Sequence, residues 1–295
     1  MTKRDRAGAS AWFRFYAVPS LSPRLARLSF LLALLPALAH AQGVDEPLPT
    51  VAPLHEDWVL VLGLIASTGP EYPGAQRQGI GVTPGFFLRY KRLTVTNRSG
   101  FAPRTTDNVV RGLGLDLSSS DHFKSSLGLR FDGGRKASSN AAYAGLGDIE
   151  PTVRARVAGT WQLDRGWRVV ASWSIDAFGR GGGNYGDLGF ARDLRRSAHT
   201  NWSWGANVSF GGDRYMQTYF GITPEQSARS GYAEYKPHAG LREIGAFANV
   251  RSDLTSRWVL LGGVGVTRLM GPAAASPLTQ KRNGWSASAG LAWRF

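Results

Sequence analysis

The sequence contains no cysteine. That excludes a disulfide framework, thiolate metal ligands and a cysteine nucleophile. Histidine is scarce: His40, His55, His122, His199 and His238 are scattered without metal-ligand spacing, so neither a metal nor a cofactor is expected. Beyond the first forty-odd residues no apolar run approaches the roughly 20 residues of a membrane helix, and mean hydropathy is −0.20. No stretch after residue 41 reads as an amphipathic helix. Nucleic-acid motifs are also missing, despite a formal net charge of +14, so no nucleic-acid partner is expected. The glycine-rich "GRGGGNYG" at 179–186 lacks the Lys-Ser/Thr of a phosphate loop and no helix follows it. It reads as a flexible hairpin loop.

What the chain does have begins with an address. Arginines precede the apolar "LSFLLALLPALA", and small residues Ala39 and Ala41 frame "AHAQ". Basic region, short apolar core and small-residue site, in that order, describe a secretory signal peptide over residues 1–41. Cleavage is expected between Ala41 and Gln42. It would remove six basic residues and one acidic one, leaving the mature chain at +9. The polar, proline-rich residues 42–56 read as a flexible N-terminal segment.

The remainder, 57–295, is dominated by period two. In 152–163 Val153, Ala155, Val157, Trp161 and Leu163 share one face, with Arg154, Arg156, Thr160 and Gln162 on the other. In 166–178 Trp173 and its apolar neighbours oppose Arg168, Ser172, Ser174 and Asp176. Side chains alternate in this way along an extended backbone. Candidate strands are 58–68, 80–90, 93–99, 107–117, 122–132, 151–163, 166–178, 187–196, 199–210, 214–221, 240–253, 256–270 and 284–295. The least regular are 93–99 and 214–221. Connectors such as "LDRGW", "GGDR" and "DLTSR" read as hairpins.

Many of these segments run about ten residues, the length a tilted strand needs to cross a bilayer. The apolar face carries aromatics near strand ends: Trp58, Trp161, Trp167, Trp202, Trp258, Trp285, Trp293 and Phe295. The polar face carries glycines and charges of both signs. A soluble sandwich would turn the apolar rows inward; a transmembrane barrel turns them to lipid and adds aromatic girdles. The expected fold is therefore all-β, a single transmembrane antiparallel β-barrel. Thirteen candidates is an odd number where bacterial barrels use an even one, so one segment is misread or missed, and the count is taken as about twelve.

Several stretches then resemble one family. "GPEYPGAQRQGIGVTPGFFLRY", "YAGLGDIEP" at 143–151, the long run from "YFGITPEQ" at 219 to 278, and the closing "GLAWRF" are similar to the MipA/OmpV family of outer-membrane proteins. The resemblance covers essentially the mature chain and is strongest after Tyr219. It implies a barrel in the outer membrane of a Gram-negative bacterium. It also implies a non-enzymatic scaffold that joins a lytic transglycosylase to a penicillin-binding protein in cell-wall biogenesis. Porin-like and adhesive members leave a small, anion-selective channel or an adhesin as the alternative.

On the lumen side, Lys124, Arg130, Arg154, Arg156, Arg168, Arg251 and Arg294 either line an anion-selective pore or pair with Asp132, Asp176, Glu243 and Asp253 and fill it. The filled or narrow lumen is favoured. Trp293 and Phe295 form the terminal aromatic signal that barrels generally present to the insertion machinery. A lipid hydrolase ranks third: the only close Ser–His pairs are Ser197–His199 and Ser120–His122, near Asp193 and Asp121, without a recognisable triad pattern.

Overall fold

The computed structural model describes residues 58–98, 111–120 and 122–295. The expected leader 1–41, its cleavage site at Ala41 and Gln42, and the segment 42–56 lie outside the described residues. Twelve antiparallel strands close on themselves. They are β1 (Trp58–Pro70), β2 (Gln78–Tyr90), β3 (Leu93–Thr96), β4 (Gly112–Ser119), β5 (Phe123–Asp132), β6 (Thr152–Gln162), β7 (Trp167–Asp176), β8 (Asn184–Arg195), β9 (Thr200–Gly211), β10 (Gly240–Asp253), β11 (Trp258–Leu269) and β12 (Asn283–Arg294). Each pairs with its sequence neighbours, and β12 pairs with β1 from Val61↔Arg294 to Thr68↔Ala287. Every strand thus has a partner on both sides, as strands in hydrocarbon require, although β3 pairs with β2 only from Phe87 to Tyr90.

The register puts residues of one parity on each face. Leu115, Leu127, Val157 and Trp173 form one outward row through the pairings of β4 to β7, and all four are exposed. The inward row beside it holds Arg130, Arg154 and Asp176.

Connections differ sharply between the two ends. At one end the strands are joined by turns of two to four residues, at 91–92, 120–122, 163–166, 196–199 and 254–257. At the other, the connections run from seven residues (71–77, 177–183) to twenty-eight (212–239). Outer-membrane barrels keep short turns in the periplasm and long loops outside, which sets the orientation used below. The periplasmic rim carries most of the aromatic belt. Trp167 stacks on Phe190 at 4.4 Å, Phe123 meets Trp161 at 5.1 Å, and Trp258 meets Trp293 edge-on at 4.9 Å.

Two expectations are corrected. The segment 214–221 is not a strand, and "GGDR" is not a hairpin. Residues Asp213–Phe220 form helix α1. Its apolar side chains recur at helical spacing: Tyr215 with Tyr219, Met216 with Phe220. Removing this segment turns thirteen candidates into twelve strands. The long loops also hold α2 (Pro224–Ser230) and α3 (Gly271–Ala275), so helices do occur after residue 41. None is long and apolar enough to cross a membrane. Of the expected fourth strand, 112–117 lies within β4 (Gly112–Ser119), and 107–110 lies outside the described residues.

The lipid-facing row generates a quantitative expectation. Val157 sits midway along β6 and is half exposed. Replacing it with Arg should lower the unfolding free energy of refolded protein by about 2–4 kcal/mol, the range for a cation at the bilayer midplane. Urea titration in lipid vesicles measures this. A cost near zero would mean that this row does not face hydrocarbon.

Candidate functional site

Two layers of side chains pack within the lumen. On the β1, β2, β11, β12 side, the inward residues Val59, Val61, Ile65, Phe87, Val259 and Ala292 pack together, with Leu261 against them. Phe87 is fully buried, and burial of one such ring contributes about 1.5–3 kcal/mol. Level with this cluster, at the periplasmic end, Asp253 accepts hydrogen bonds from Arg251 and Arg294, both at 2.7 Å. The pairing ties β10 to β12 across the lumen side of β11.

The second layer centres on Arg154, 1% exposed. Its Nε donates to Asp132 Oδ2 at 2.5 Å. Its Nη atoms donate to the carbonyls of Gly182 (3.0 Å) and Gly183 (3.3 Å) and to the Tyr219 hydroxyl (3.1 Å). The rings of Tyr185, Tyr215 and Tyr219 lie 5.2–5.8 Å from the guanidinium carbon, within cation–π range. Tyr219 reaches Asp132 as well, at 3.3 Å. Burial and the Asp132 charge raise the Tyr219 pKa, so the hydroxyl keeps the proton it donates. The glycine-rich loop at 177–183 thus binds an arginine, not a phosphate. Gly183 is required there: its φ is +61°, and a Cβ would stand 2.3 Å from the Tyr215 amide nitrogen.

The other expected lumen residues divide. Arg130 lies 3.7 Å from Asp132, and Arg168 lies 3.3 Å from Asp193. Asp176 takes the Thr152 hydroxyl and the amides of Gly182 (2.8 Å) and Phe178 (3.2 Å). It therefore anchors a loop instead of forming an arginine pair of its own. Glu243, beside a bulge in β10, makes no ion pair within 4 Å among the described residues. Lys124 and Arg156 line a cavity with Arg130 and Arg154. At the seam, Trp293 faces outward, the Phe295 amide donates to Leu60 (3.0 Å), and the two rings meet edge-on at 6.5 Å.

Above the lumen, the long loops fold into a cap. Tyr72, Ala75, Ala142, Tyr143, Leu146, Ile222 and Leu278 form one cluster; Met216, Phe220, Leu269 and Ala273 form another. The "PEYPG" and "YFGITPEQ" elements meet in this cap. Tyr72 packs on Tyr143 at 5.0 Å, Thr223 and Gln226 make a capping box for α2, and Gln226 donates to the Leu146 carbonyl at 2.7 Å. Burial pushes the Tyr143 phenol up to about 12, despite the Arg135 guanidinium 4.6 Å from its ring.

Both serines of the close Ser–His pairs serve turns. Ser197 Oγ accepts from the amides of His199 and Thr200, and Ser120 Oγ from that of Phe123. Asp121 lies outside the described residues.

Two groups escaped the sequence reading. One is Tyr215 and Tyr219, whose i,i+4 spacing was the available signal. The other is a ring of exposed cations in the periplasmic turns: Lys91, Arg92, Arg165, Arg196 and Arg257. Asp164 is the one carboxylate among the described residues of these turns. Lys91 and Arg165 hold φ of 52° and 57°, a left-handed conformation that costs a side chain bearing a Cβ roughly 1–2 kcal/mol.

A family model described as MltA-interacting protein MipA matches residues 62–295. No curated relative matches the sequence. Among solved structures, the CymD monoaromatic hydrocarbon channel is 10% identical, covering 82% of this chain and 88% of its own, with a TM-score of 0.38. The NanC porin is 6% identical over 80% of this chain and 98% of its own, TM-score 0.38. OprD of Pseudomonas aeruginosa is 6% identical over 81% and 94%, TM-score 0.32. At such scores these likenesses carry no argument; the barrel is read from the chain's own strand pairing.

The Arg154 cluster generates the test of this site. Arg154→Met leaves Asp132, Tyr219 and two loop carbonyls without their shared donor, and should cost about 3–5 kcal/mol. Asp132→Asn in the same chain should recover part of that loss. Limited proteolysis should cut the 212–239 segment faster in the single variant. A cost below about 1 kcal/mol, with the segment still protected, would show that the cap is held by its apolar contacts alone.

Proposed function

Because the chain belongs to the MltA-interacting protein MipA family and is an outer-membrane β-barrel, we propose that it is a non-enzymatic docking scaffold. Its partners would be periplasmic cell-wall enzymes: a lytic transglycosylase, in keeping with the family's description, and through it a penicillin-binding protein. The observation that carries this reading is the periplasmic rim. Five exposed cations ring it, and two of them occupy turn positions where glycine or asparagine would be less strained. Strain retained at a surface turn, where packing does not require it, points to a use for the side chain. A rim with a surplus of positive charge attracts an oppositely charged surface and steers its approach.

Packing within the lumen supports the same reading. An apolar cluster, an Arg–Asp–Arg bridge and the Arg154 layer occupy the space a solute would cross. With the proposal goes the route: residues 1–41 as a cleaved leader, and 42–56 as a further periplasmic segment beside the rim.

The experiment uses mature protein in nanodiscs and a purified periplasmic lytic transglycosylase from the same bacterium. The triple variant Lys91→Asn, Arg165→Asn, Arg257→Ser keeps residues suited to the left-handed turns while removing three charges. Its affinity should fall at least about tenfold, and wild-type affinity should fall as salt rises. Unchanged affinity in the triple variant, or no measurable binding by wild type, would overturn the scaffold.

A further inference from the structure

Within the lumen, between β2 and β8, lies a cavity of about 120 Å³. It runs from Lys124, next to the periplasmic turn before β5, to Arg154 beneath α1. Six cationic side chains line it, Arg89, Arg111, Lys124, Arg130, Arg154 and Arg156, against one lining carboxylate, Asp116. Two carboxylates account for part of this charge. Asp116 sits 3.6 Å from Arg89, and Asp132, at the cavity's upper end, holds Arg154 at 2.5 Å and Arg130 at 3.7 Å. Arg111 donates to the Phe131 carbonyl at 3.1 Å. Lys124 and Arg156 line the cavity and have no carboxylate within 4 Å among the described residues; Asp187 on β8 opposes Arg156 from farther away.

Such a surplus is costly. The barrel wall excludes bulk water on one side, the cap roofs the other, and like charges held in a partly enclosed space repel strongly. The space is large enough for several waters or for one small ion with part of its shell. Its remaining polar lining, Ser126, Thr160, Ser174 and Tyr185, offers hydroxyl donors.

We propose that this cavity binds a small divalent oxyanion of the phosphate or sulfate class. The ion enters from the periplasmic end, with Arg156 and Lys124 as its principal partners and Arg130 as the third. Guanidinium and ammonium groups suit tetrahedral oxyanions because their N–H donors meet several oxygens at once. The closed wall keeps acyl chains out, so the ligand is the free ion and not a lipid headgroup. The inference does not depend on the docking reading, since none of these residues belongs to the rim.

The test uses mature protein refolded in detergent, with sodium phosphate against sodium chloride at matched ionic strength. Calorimetric titration with phosphate should show one saturable site, weakened at least tenfold in Arg156→Ser and in Lys124→Ser. Thermal midpoints supply a second readout. Without phosphate, Arg156→Ser should equal or exceed wild type, because it removes a cation that makes no close ion pair. With phosphate, wild type should gain and the variant should not. Equal midpoints for wild type in the two salts, or a variant that loses stability alike in both, would overturn the site. Soluble phosphate displaced by vesicles bearing anionic lipid would also contradict it, by placing the binding surface outside the lumen.

Discussion

The arrangement depends most on one guanidinium. Arg154 is 1% exposed, and its neighbours are drawn from three separate parts of the chain. Asp132 ends β5, Gly182 and Gly183 belong to the β7–β8 loop, Tyr219 lies on α1, and Tyr185 opens β8. A buried charge must be paired and hydrogen-bonded to be tolerated. Once Arg154 is in the lumen, the loop must bend back over it and α1 must dock. Strand pairing makes the cylinder, and this cluster fixes the cap to it. The apolar contacts of Met216 and Phe220 with Leu269 and Ala273 then seal the roof.

Polarity in this molecule follows its two solvents. The outward rows meet hydrocarbon, so they are Leu, Val, Ile and Trp. The inward rows meet a narrow interior, so every charge there needs a partner, and most have one. Beside Lys124 and Arg156, which make no ion pair within 4 Å among the described residues, the structure leaves a cavity instead of a collapsed contact. The ends differ for a similar reason. Long loops outside have room to build apolar clusters of their own. The periplasmic turns have two to four residues each, too few for a core, and they hold charge in their place.

Period two made the barrel legible. Each outward row is written as an apolar residue at every second position, and no tertiary information is needed to see it. Val153, Ala155, Val157 and Trp161 show this in β6, as do Trp285 to Phe295 at the seam. The reading failed at 214–221, where the two periods compete over eight residues. "RYMQTYFG" alternates loosely, but Tyr215–Tyr219 and Met216–Phe220 recur at four, and the contacts with α3 and β11 decide for the helix. Lumen pairings were less legible. Parity shows that Arg168, Asp176 and Glu243 share a facing direction, yet not that Arg168 meets Asp193, that Asp176 serves a loop, or that Glu243 makes no ion pair within 4 Å among the described residues. Those outcomes depend on register around the cylinder, which a single strand's sequence does not carry. The "PEYPG" and "YFGITPEQ" elements were visible as a signature but not as partners, because they meet only when the cap is folded.

We propose that this barrel is closed to solutes, its interior held shut by charge pairs and a folded cap, with its rim and a blind basic cavity as its working surfaces. Conductance of purified mature protein in planar lipid bilayers tests that claim most directly. A closed interior gives insertion, verified by protease protection, without stepwise ohmic current in wild type, and current should appear when Arg154 and Asp253 are both replaced by Ser. Uniform, stable steps from the wild-type protein, carried preferentially by anions, would contradict it and make the lumen a path.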